Sequence, residues 1–346
     1  MKKFVFTLSL LFAIFATSCT TMLYTSIDVL RPAKVTFDKD AKSLLILNNS
    51  VPQPESYGHT YELYGEKKKN ASLNTDSLAT FCLSVINEEF QKNDFFPETQ
   101  IHLPSVNVGG GFLIAKSPTK DTLKFMSQLY NTDVVLSLDK IKVNDRVADY
   151  YDNEENYFYA ILEANYETNW SVSYPKLNKT QTYSFKDTIY WDAESYQRKK
   201  AIEALPNRYN ALIDGALYVG QTTMKKLVPW WDKEDRYFFN TDNKVVKQGL
   251  DSVYVKNWTA AIEIWEKGLL NTNIPTQAKI LYNIAVAHEI NGNMPKAIEY
   301  VKKSLSTYET ASIMEYNHYL TIYQYVETLE KRKKEIDNIN QQLGVK

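Results

Sequence analysis

The sequence has few of the residues from which disulfide frameworks and nucleophilic active sites are built. Only two cysteines, four histidines and eleven glycines occur in 346 residues. Two cysteines exclude a disulfide framework, and because Cys19 ends an export signal, Cys82 is alone in the rest of the chain. We interpret Cys82 as a buried small hydrophobic residue, since the stretch 78–86 around it is apolar with helical spacing.

An excess of charge of either sign is also missing. The chain has 40 Lys and Arg against 41 Asp and Glu, a formal net charge of -1. Such a balance produces no general field that would attract nucleic acid, so we expect no nucleic-acid partner. Tyrosine, in contrast, is abundant at 25 residues. Tyrosine suits a half-buried sheet and an adaptable contact surface; the sheet interpretation is favoured and the other stays open.

No apolar run is long enough to span a membrane as a helix. The apolar run at residues 4–15 has about a dozen residues, short of the ~20 that a spanning helix needs. It follows Lys2 and Lys3 and precedes the small residues Ala16-Thr17-Ser18, which is the order of a cleaved export signal. The sequence therefore predicts that residues 1–18 are a signal peptide.

The order Ala-Thr-Ser-Cys at residues 16–19 resembles the lipobox of bacterial lipoproteins. In that family the cysteine is acylated on sulfur and becomes the first residue of the mature chain. The resemblance implies a lipidated Cys19, a tether over 19–39, and a permanent membrane anchor. Thr20 stands where inner-membrane retention would need Asp, which favours an outer-membrane lipoprotein facing the periplasm, with surface exposure as a further option. An ordinary signal peptide with a chance cysteine is the alternative.

The sequence predicts an α+β protein whose first folded part, residues 40–230, is a small α/β sandwich domain with an antiparallel hairpin. Expected strands are 41–50, 134–141, 158–172 and 181–191, and expected helices are 76–93, 119–130 and 201–227. Residues 51–70 are expected to be a polar loop. The buried strand ending in Asn48-Asn49-Ser50, and the later Asn131-Thr132-Asp133 before an apolar strand, resemble the small domain of curli-secretion and Tol-type envelope proteins. That resemblance implies protein contacts and no chemistry.

Residues 278–305 resemble a tetratricopeptide repeat. Small residues stand at Ala285 and Ala297, where two helices of such a repeat cross within about 8–10 Å. Residues 258–269 repeat the second-helix half 36 positions earlier, with Ala261 matching Ala297. Two repeats bury little core, so we expect capping helices before Trp258 and over 311–343, in an all-α array spanning 240–343. The residues assigned to repeat packing are Ala261, Leu281, Ala285, Gly292 and Ala297.

No motif for catalysis, metal binding or cofactor binding is found. The glycine-rich stretch before Pro118 departs from a phosphate loop at Ala115. His288-Glu289 has no second histidine at metalloprotease spacing, and no Gly-x-Ser-x-Gly motif occurs. His288 and His318 are interpreted as packing or surface residues. We therefore expect no enzyme activity, no cofactor and no metal.

The combined interpretation is a membrane-anchored lipoprotein that acts as a protein-binding scaffold in the bacterial envelope. Its expected partners are envelope proteins and, through the lipid, the membrane; no small-molecule substrate is identified. The concave face of the repeats would present Tyr282, Asn283 and Ala287 to the partner. A glycan-binding surface lipoprotein is the alternative, suggested by abundant Tyr and Trp. Glycan-binding lipoproteins with tetratricopeptide helices are larger and carry the repeats earlier, which counts against it.

Overall fold

The computed structural model describes residues 22–107, 109–311 and 315–344. The predicted α+β class is confirmed, because a part rich in strands precedes a C-terminal run of helices. The chain divides into two compact units. We call Ala33–Val228 the sheet unit. The described residues from Met22 to Pro32, together with those from Pro229 onward, form the helical unit.

The elements, numbered in chain order, are as follows. The strands are β1 Met22–Arg31, β2 Ser43–Asn48, β3 His59–Glu62, β4 Lys69–Asn70, β5 Glu98–His102, β6 Val134–Asp152, β7 Tyr157–Tyr174, β8 Lys179–Ser195 and β9 Trp230–Phe239. The helices are α1 Leu78–Asn93, α2 Lys120–Tyr130, α3 Arg198–Ala204, α4 Arg208–Leu227, α5 Lys244–Tyr254, α6 Trp258–Gly268, α7 Ile274–Ile290, α8 Met294–Glu309 and α9 Tyr316–Leu343. None of these helices is both long and apolar enough to cross a bilayer.

The core of the sheet unit is built around β2, which pairs in parallel with β5 on one side and β6 on the other. Leu44 and Ile46 pack with α1 and α4 on one face of the sheet. Leu45 and Leu47 pack with α2 on the opposite face. All four leucine and isoleucine side chains are fully buried, as expected for a continuous apolar strand covered on both faces.

Antiparallel pairing extends the sheet from β6 through β7 to β8. Along β7, Ala160, Leu162 and Ala164 are buried and alternate with more exposed residues, which confirms the predicted strand with one wet face. The connection to β8 ends at Asn178, which adopts the left-handed conformation. The predicted hairpin is therefore present, with both strands longer than expected.

Two local predictions for the sheet unit are wrong. The helix expected over 201–227 is two helices, because Pro206 has no amide hydrogen for a continuous helix and Asn207 caps α4. The loop expected over 51–70 contains β3, which pairs in parallel with β6. A buried hydrogen bond between the His59 imidazole and the Asp145 carboxylate accompanies that pairing, and the sequence pattern does not reveal it.

The interpretation of Cys82 is confirmed. Its side chain is fully buried in α1, and burial raises the pKa of its thiol to about 12. Helix α4 packs closely there, because Gly220 has no side chain. A Cβ at Gly220 would lie 2.8 Å from the carbonyl oxygen of Cys82.

In the helical unit, α5 to α8 form two helix hairpins, and each of the four helices starts with an asparagine. The side chains of these asparagines accept hydrogen bonds from backbone amides of the first turn. Asn257 and Asn293 are 36 positions apart, the same separation as Ala261 and Ala297. The cap positions therefore repeat with the same period as the packing alanines.

The segment assigned to the tether is structured over most of its described length. Residues 22–31 form β1, which pairs antiparallel with β9 in a two-stranded ribbon. This ribbon belongs to the helical unit. The C-terminal part of that unit therefore starts at Pro229 and not at residue 240, as predicted. The prediction of a tether over 19–39 is corrected for β1, because this segment alternates Leu23, Ile27 and Val29 with polar residues and pairs with a strand more than 200 positions later.

Candidate functional site

The three residues predicted to bind a partner on the concave face are buried within the chain, so their predicted exposure is wrong. Tyr282 is 2 % exposed, and Asn283 and Ala287 are fully buried. The side chain of Asn283 accepts a hydrogen bond from the amide of Phe239 at 2.7 Å and donates to its carbonyl oxygen at 2.9 Å. Strand β9 therefore covers the face of α7 that was expected to be free.

A buried ion pair also holds β9 to α7. Arg236 donates from Nε and Nη2 to the two carboxylate oxygens of Glu289 at 2.6 and 2.7 Å, and the hydroxyl of Tyr325 in α9 donates to the same carboxylate at 2.7 Å. Burial lowers the pKa of Arg236, but the hydrogen bond and charge of Glu289 outweigh it and raise that pKa. Burial and Glu289 hold the pKa of Tyr325 well above its ordinary value, so its hydroxyl remains a donor.

The pairing register of β1 and β9 shows which backbone groups of β1 point away from β9. In an antiparallel pair, residues alternate between pointing both backbone groups at the partner strand and pointing both away. Phe239 lies opposite Met22 and uses both backbone groups to bond Asn283, so this pair points away. Leu30 has the same parity as Met22, and its carbonyl oxygen accepts from Arg332 at 3.0 Å. The even-numbered residues of β1 therefore point their backbone groups away from β9.

The backbone groups of Tyr24, Ser26 and Asp28 consequently form an open strand edge. Neither the amides nor the carbonyl oxygens of these three residues have a partner among the described residues. Open edges accept additional strands, because a pairing segment satisfies donors and acceptors in register. Within the part of the chain that the structure describes, this edge is the feature best suited to bind another chain.

A groove of about 730 Å³ runs along this edge, and we call it the β1 groove. It is lined by residues 24–30 of β1, by Trp231 of β9, by residues at or near the ends of α6, α7 and α8, and by Arg332 and Ile336 of α9. Its apolar lining includes Trp231, Trp258, Ile290, Met294 and Ile336. Trp231 is 68 % exposed, so the groove offers an accessible aromatic surface beside the open edge.

One cation in the β1 groove has an unused donor. Arg332 is 8 % exposed, and its Nη1 donates to Leu30 and, at 3.2 Å, to Glu335. Its Nε has no hydrogen-bond partner among the described residues, and Glu289 Oε1 lies 3.9 Å from it. The Glu289 carboxylate compensates the charge of this buried guanidinium, while its Nε donates a hydrogen bond to none of the described residues.

The remaining predicted site residues have other locations. Cys19, the predicted lipidation site, lies outside the described residues. Gly292 has a φ of 75° in the turn between α7 and α8, a conformation that favours glycine, and it also lines the β1 groove. The predicted packing residues Ala261, Leu281, Ala285 and Ala297 are buried in the helical unit. No cluster of three or more potential metal ligands is found among the described residues.

The residues of the β1 groove were missed for two reasons. Strand β1 lies in the segment predicted to be a tether, and the alternation of its apolar and polar residues was not interpreted as a strand. Strand β9 has polar side chains on its inward face, with Asp232 and Glu234 half-buried and Arg236 buried, so its periodicity does not indicate a strand. The sequence of α7 did contain a sign that this helix is covered. Most of its residues from Ala278 to Ala287 are apolar, and a helix that is apolar on all sides is typically enclosed. In the structure almost every residue from Ala278 to Glu289 is buried.

The family model described as Domain of unknown function (DUF8603) matches residues 41–239, and Domain of unknown function (DUF6340) matches residues 247–331. A PelC variant dodecamer from Paraburkholderia phytofirmans is similar at 11% identity and a TM-score of 0.20, covering 55% of this chain and 98% of that chain. A putative neuraminyllactose-binding hemagglutinin homolog from Helicobacter pylori is similar at 10% identity and a TM-score of 0.25, covering 54% and 84%. No curated protein matches the sequence.

Proposed function

This chain belongs to the family described as Domain of unknown function (DUF8603), and we propose that it is an envelope lipoprotein that binds an extended segment of another envelope protein along β1. The observation that supports this most directly is the open edge at Tyr24, Ser26 and Asp28, which lies beside a groove with an apolar lining. Strand addition obtains affinity from backbone hydrogen bonds and specificity from pockets for alternate side chains.

The expected partner segment follows from the chemistry of the groove. Its backbone pairs with the three open residues of β1, and one of its carbonyl oxygens accepts from Arg332 Nε. Its inward side chains are apolar, because they meet Ile290, Met294 and Ile336. The segment is therefore an extended peptide in which apolar residues alternate with polar ones.

The proposed anchor would place this groove close to the membrane. Cys19 is three positions before Met22, so at 3.3–3.6 Å per residue the lipidated cysteine would be within about 11 Å of the start of β1. The tether between anchor and strand would thus be far shorter than residues 19–39. A partner bound along β1 would lie next to the bilayer, which favours a segment that is itself membrane-anchored or part of a membrane protein.

Proline substitutions test strand addition, because proline removes a backbone donor. Ser26→Pro removes an outward amide without removing a hydrogen bond to β9, so it should abolish partner binding while the ribbon persists. Lys233→Pro is the matched control, since Lys233 lies opposite Asp28 and its amide points to the other edge of the ribbon. Binding is measured by pull-down from an envelope fraction, followed by cross-linking from position 24. Equal binding by Ser26→Pro and the wild type would contradict strand addition.

The anchor is tested separately. Cys19→Ala should release the protein into the soluble periplasmic fraction, because the acyl chains would no longer be attached. Metabolic labelling with a fatty-acid analogue should label the wild type and leave Cys19→Ala unlabelled. A wild-type protein that takes up no label would overturn the lipoprotein proposal and leave the strand-addition proposal standing.

Glycan binding is the second candidate, because Trp231 and Tyr24 are exposed at the groove and aromatic faces suit sugar rings. Trp231→Ala would abolish selective binding on a glycan array if sugars are the ligand. Ser26→Pro would leave such binding intact, because it changes a backbone donor and no aromatic face. The two variants together therefore separate the candidates.

A further inference from the structure

The sheet unit contains a cavity of about 240 Å³ beyond the carboxyl ends of β2 and β5. Its walls are the segment 48–53 after β2, the segment 103–105 after β5 and the first turn of α1. The cavity belongs to the sheet unit alone and is independent of the β1 groove. It has room for a molecule of roughly eight heavy atoms, given ~30 Å³ for each water in the liquid.

The topology of the sheet makes this position a favourable place for a ligand. The connection from β2 to β5 contains β3, β4 and then α1, and α1 covers the face of the sheet where Leu44 and Ile46 lie. The connection from β5 to β6 is α2, which covers the opposite face, where Leu45 and Leu47 lie. Two loops that leave in opposite directions open a crevice between the strand ends, and open α/β sheets bind ligands at such switch points.

The amino end of α1 supplies unused donors at this crevice. The amides of Ala79 and Thr80, both in the cavity wall, have no hydrogen-bond partner among the described residues. Ser77 at the N-cap position makes no capping hydrogen bond with its side chain, and the first turn of α1 has no acidic residue. The start of this 16-residue helix therefore presents free N–H groups and the positive end of its dipole to the cavity.

A buried hydroxyl provides an independent sign of a missing ligand. Thr75 lines the cavity and is 6 % exposed, and its Oγ1 has no hydrogen-bond partner among the described residues. A buried hydroxyl without a partner is unfavourable, so a ligand acceptor at this position would satisfy it. Among the other polar wall residues, the side chains of Asn48, Ser50, Gln53 and Ser105 have partners within the chain.

The charges around the cavity define the class of ligand. No Lys or Arg lines it, and the one charged residue in its wall is Asp76, whose side chain is exposed. Backbone amides and a hydroxyl suit one carboxylate group. A phosphate dianion would instead meet the carboxylate of Asp76 without a compensating cation. A ligand with a carboxylate and a nearby ammonium group matches these donors and the carboxylate of Asp76.

We propose that this cavity binds a small α-amino acid, with its carboxylate at the amides of Ala79 and Thr80 and the hydroxyl of Thr75, and its ammonium group facing Asp76. Thr75 Oγ1 donates to the carboxylate, and Asp76 accepts from the ammonium group. The rest of the cavity wall, including Leu78, Leu103 and Ile141, restricts the size of the side chain.

Calorimetric titration and thermal shift of the soluble Cys19→Ala protein test this proposal with glycine, alanine, serine and glutamate as probes. At least one of the four should bind and raise the melting temperature. Acetate, which has the carboxylate alone, should bind more weakly, and methylamine and inorganic phosphate should give no shift. Thr75→Val should weaken amino-acid binding about tenfold, since it removes one hydrogen bond to a charged group.

Three variants exclude a purely structural explanation. Thr75→Val without ligand should melt at or above the wild-type temperature, because it removes a buried hydroxyl that has no partner. Thr182→Val on the exposed part of β8 is the matched control and should bind like the wild type. Asp76→Asn should reduce the preference for amino acids over acetate. The proposal is overturned if none of the four amino acids binds, if Thr75→Val binds as well as the wild type, or if phosphate alone binds.

Discussion

Asn283→Ala is the most informative perturbation of the helical unit. The side chain of Asn283 occupies both backbone groups of Phe239, and neither residue is more than 1 % exposed. Alanine leaves a buried amide and a buried carbonyl oxygen without partners, at about 1–3 kcal/mol each. We therefore expect a loss of about 2–6 kcal/mol in the free energy of unfolding, which is a large part of the roughly 5–15 kcal/mol typical of a domain.

Hydrogen exchange at the amide of Phe239 measures this effect where it arises. In the wild type this amide should be among the protected ones of the helical unit, and in Asn283→Ala its protection factor should fall by at least tenfold. Asn283→Asp keeps an acceptor for the amide but loses the donor to the carbonyl oxygen and introduces a buried charge, so it should be no better than alanine.

Asn291→Ala is the control, because Asn291 is exposed at the end of the same helix and such substitutions usually change stability by less than about 0.5 kcal/mol. If Asn283→Ala leaves the protection of Phe239 and the free energy of unfolding unchanged, β9 is not held to α7 through this side chain. The conclusion that the even-numbered residues of β1 point their backbone groups away from β9 would then rest on the Leu30–Arg332 hydrogen bond alone.

Three further substitutions test the packing and the pH dependence. Ala297→Arg forces a long charged side chain into a fully buried position of α8; it should make residues beyond about 240 sensitive to limited proteolysis while the 40–230 fragment persists, and unchanged proteolysis would refute the packing. Gly249→Ala places a Cβ on the indole of the buried Trp265 and should lower the free energy of unfolding by about 1–3 kcal/mol. The urea midpoint should fall accordingly, and an unchanged midpoint would contradict this contact. Burial raises the pKa of Asp139 from 3.8 to about 6, so its contribution to stability, complete below pH 3.8, is lost as the pH rises to 6, by at most about 3 kcal/mol. Asp139→Asn should remove that part of the pH dependence in urea titrations, and an identical pH profile would be the contrary result.

Local hydrophobic periodicity was sufficient to predict many of the helices and strands. The helical spacing around Cys82, the alternation at Ala160, Leu162 and Ala164, and the apolar run of β2 each reflect which side of one element is buried. Such patterns depend on neighbours within the same segment, so they can be recognised without a structure. The period shared by Ala261 and Ala297 is of the same kind, and it indicated the helix hairpins.

Only the tertiary structure decided what covers α7 and where open donors remain. Strand β9 faces the helices with Arg236, whose partner Glu289 is 53 positions away, so polar residues stand where the strand pattern requires apolar ones. The partner of β1 lies about 200 positions along the chain, and no local pattern reports such a pairing. The free hydroxyl of Thr75 is equally invisible in the sequence, because a missing hydrogen-bond partner is a property of all the surrounding residues together. The sequence alone thus determined the classes and positions of most elements, whereas long-range contacts determined which surfaces are available for binding.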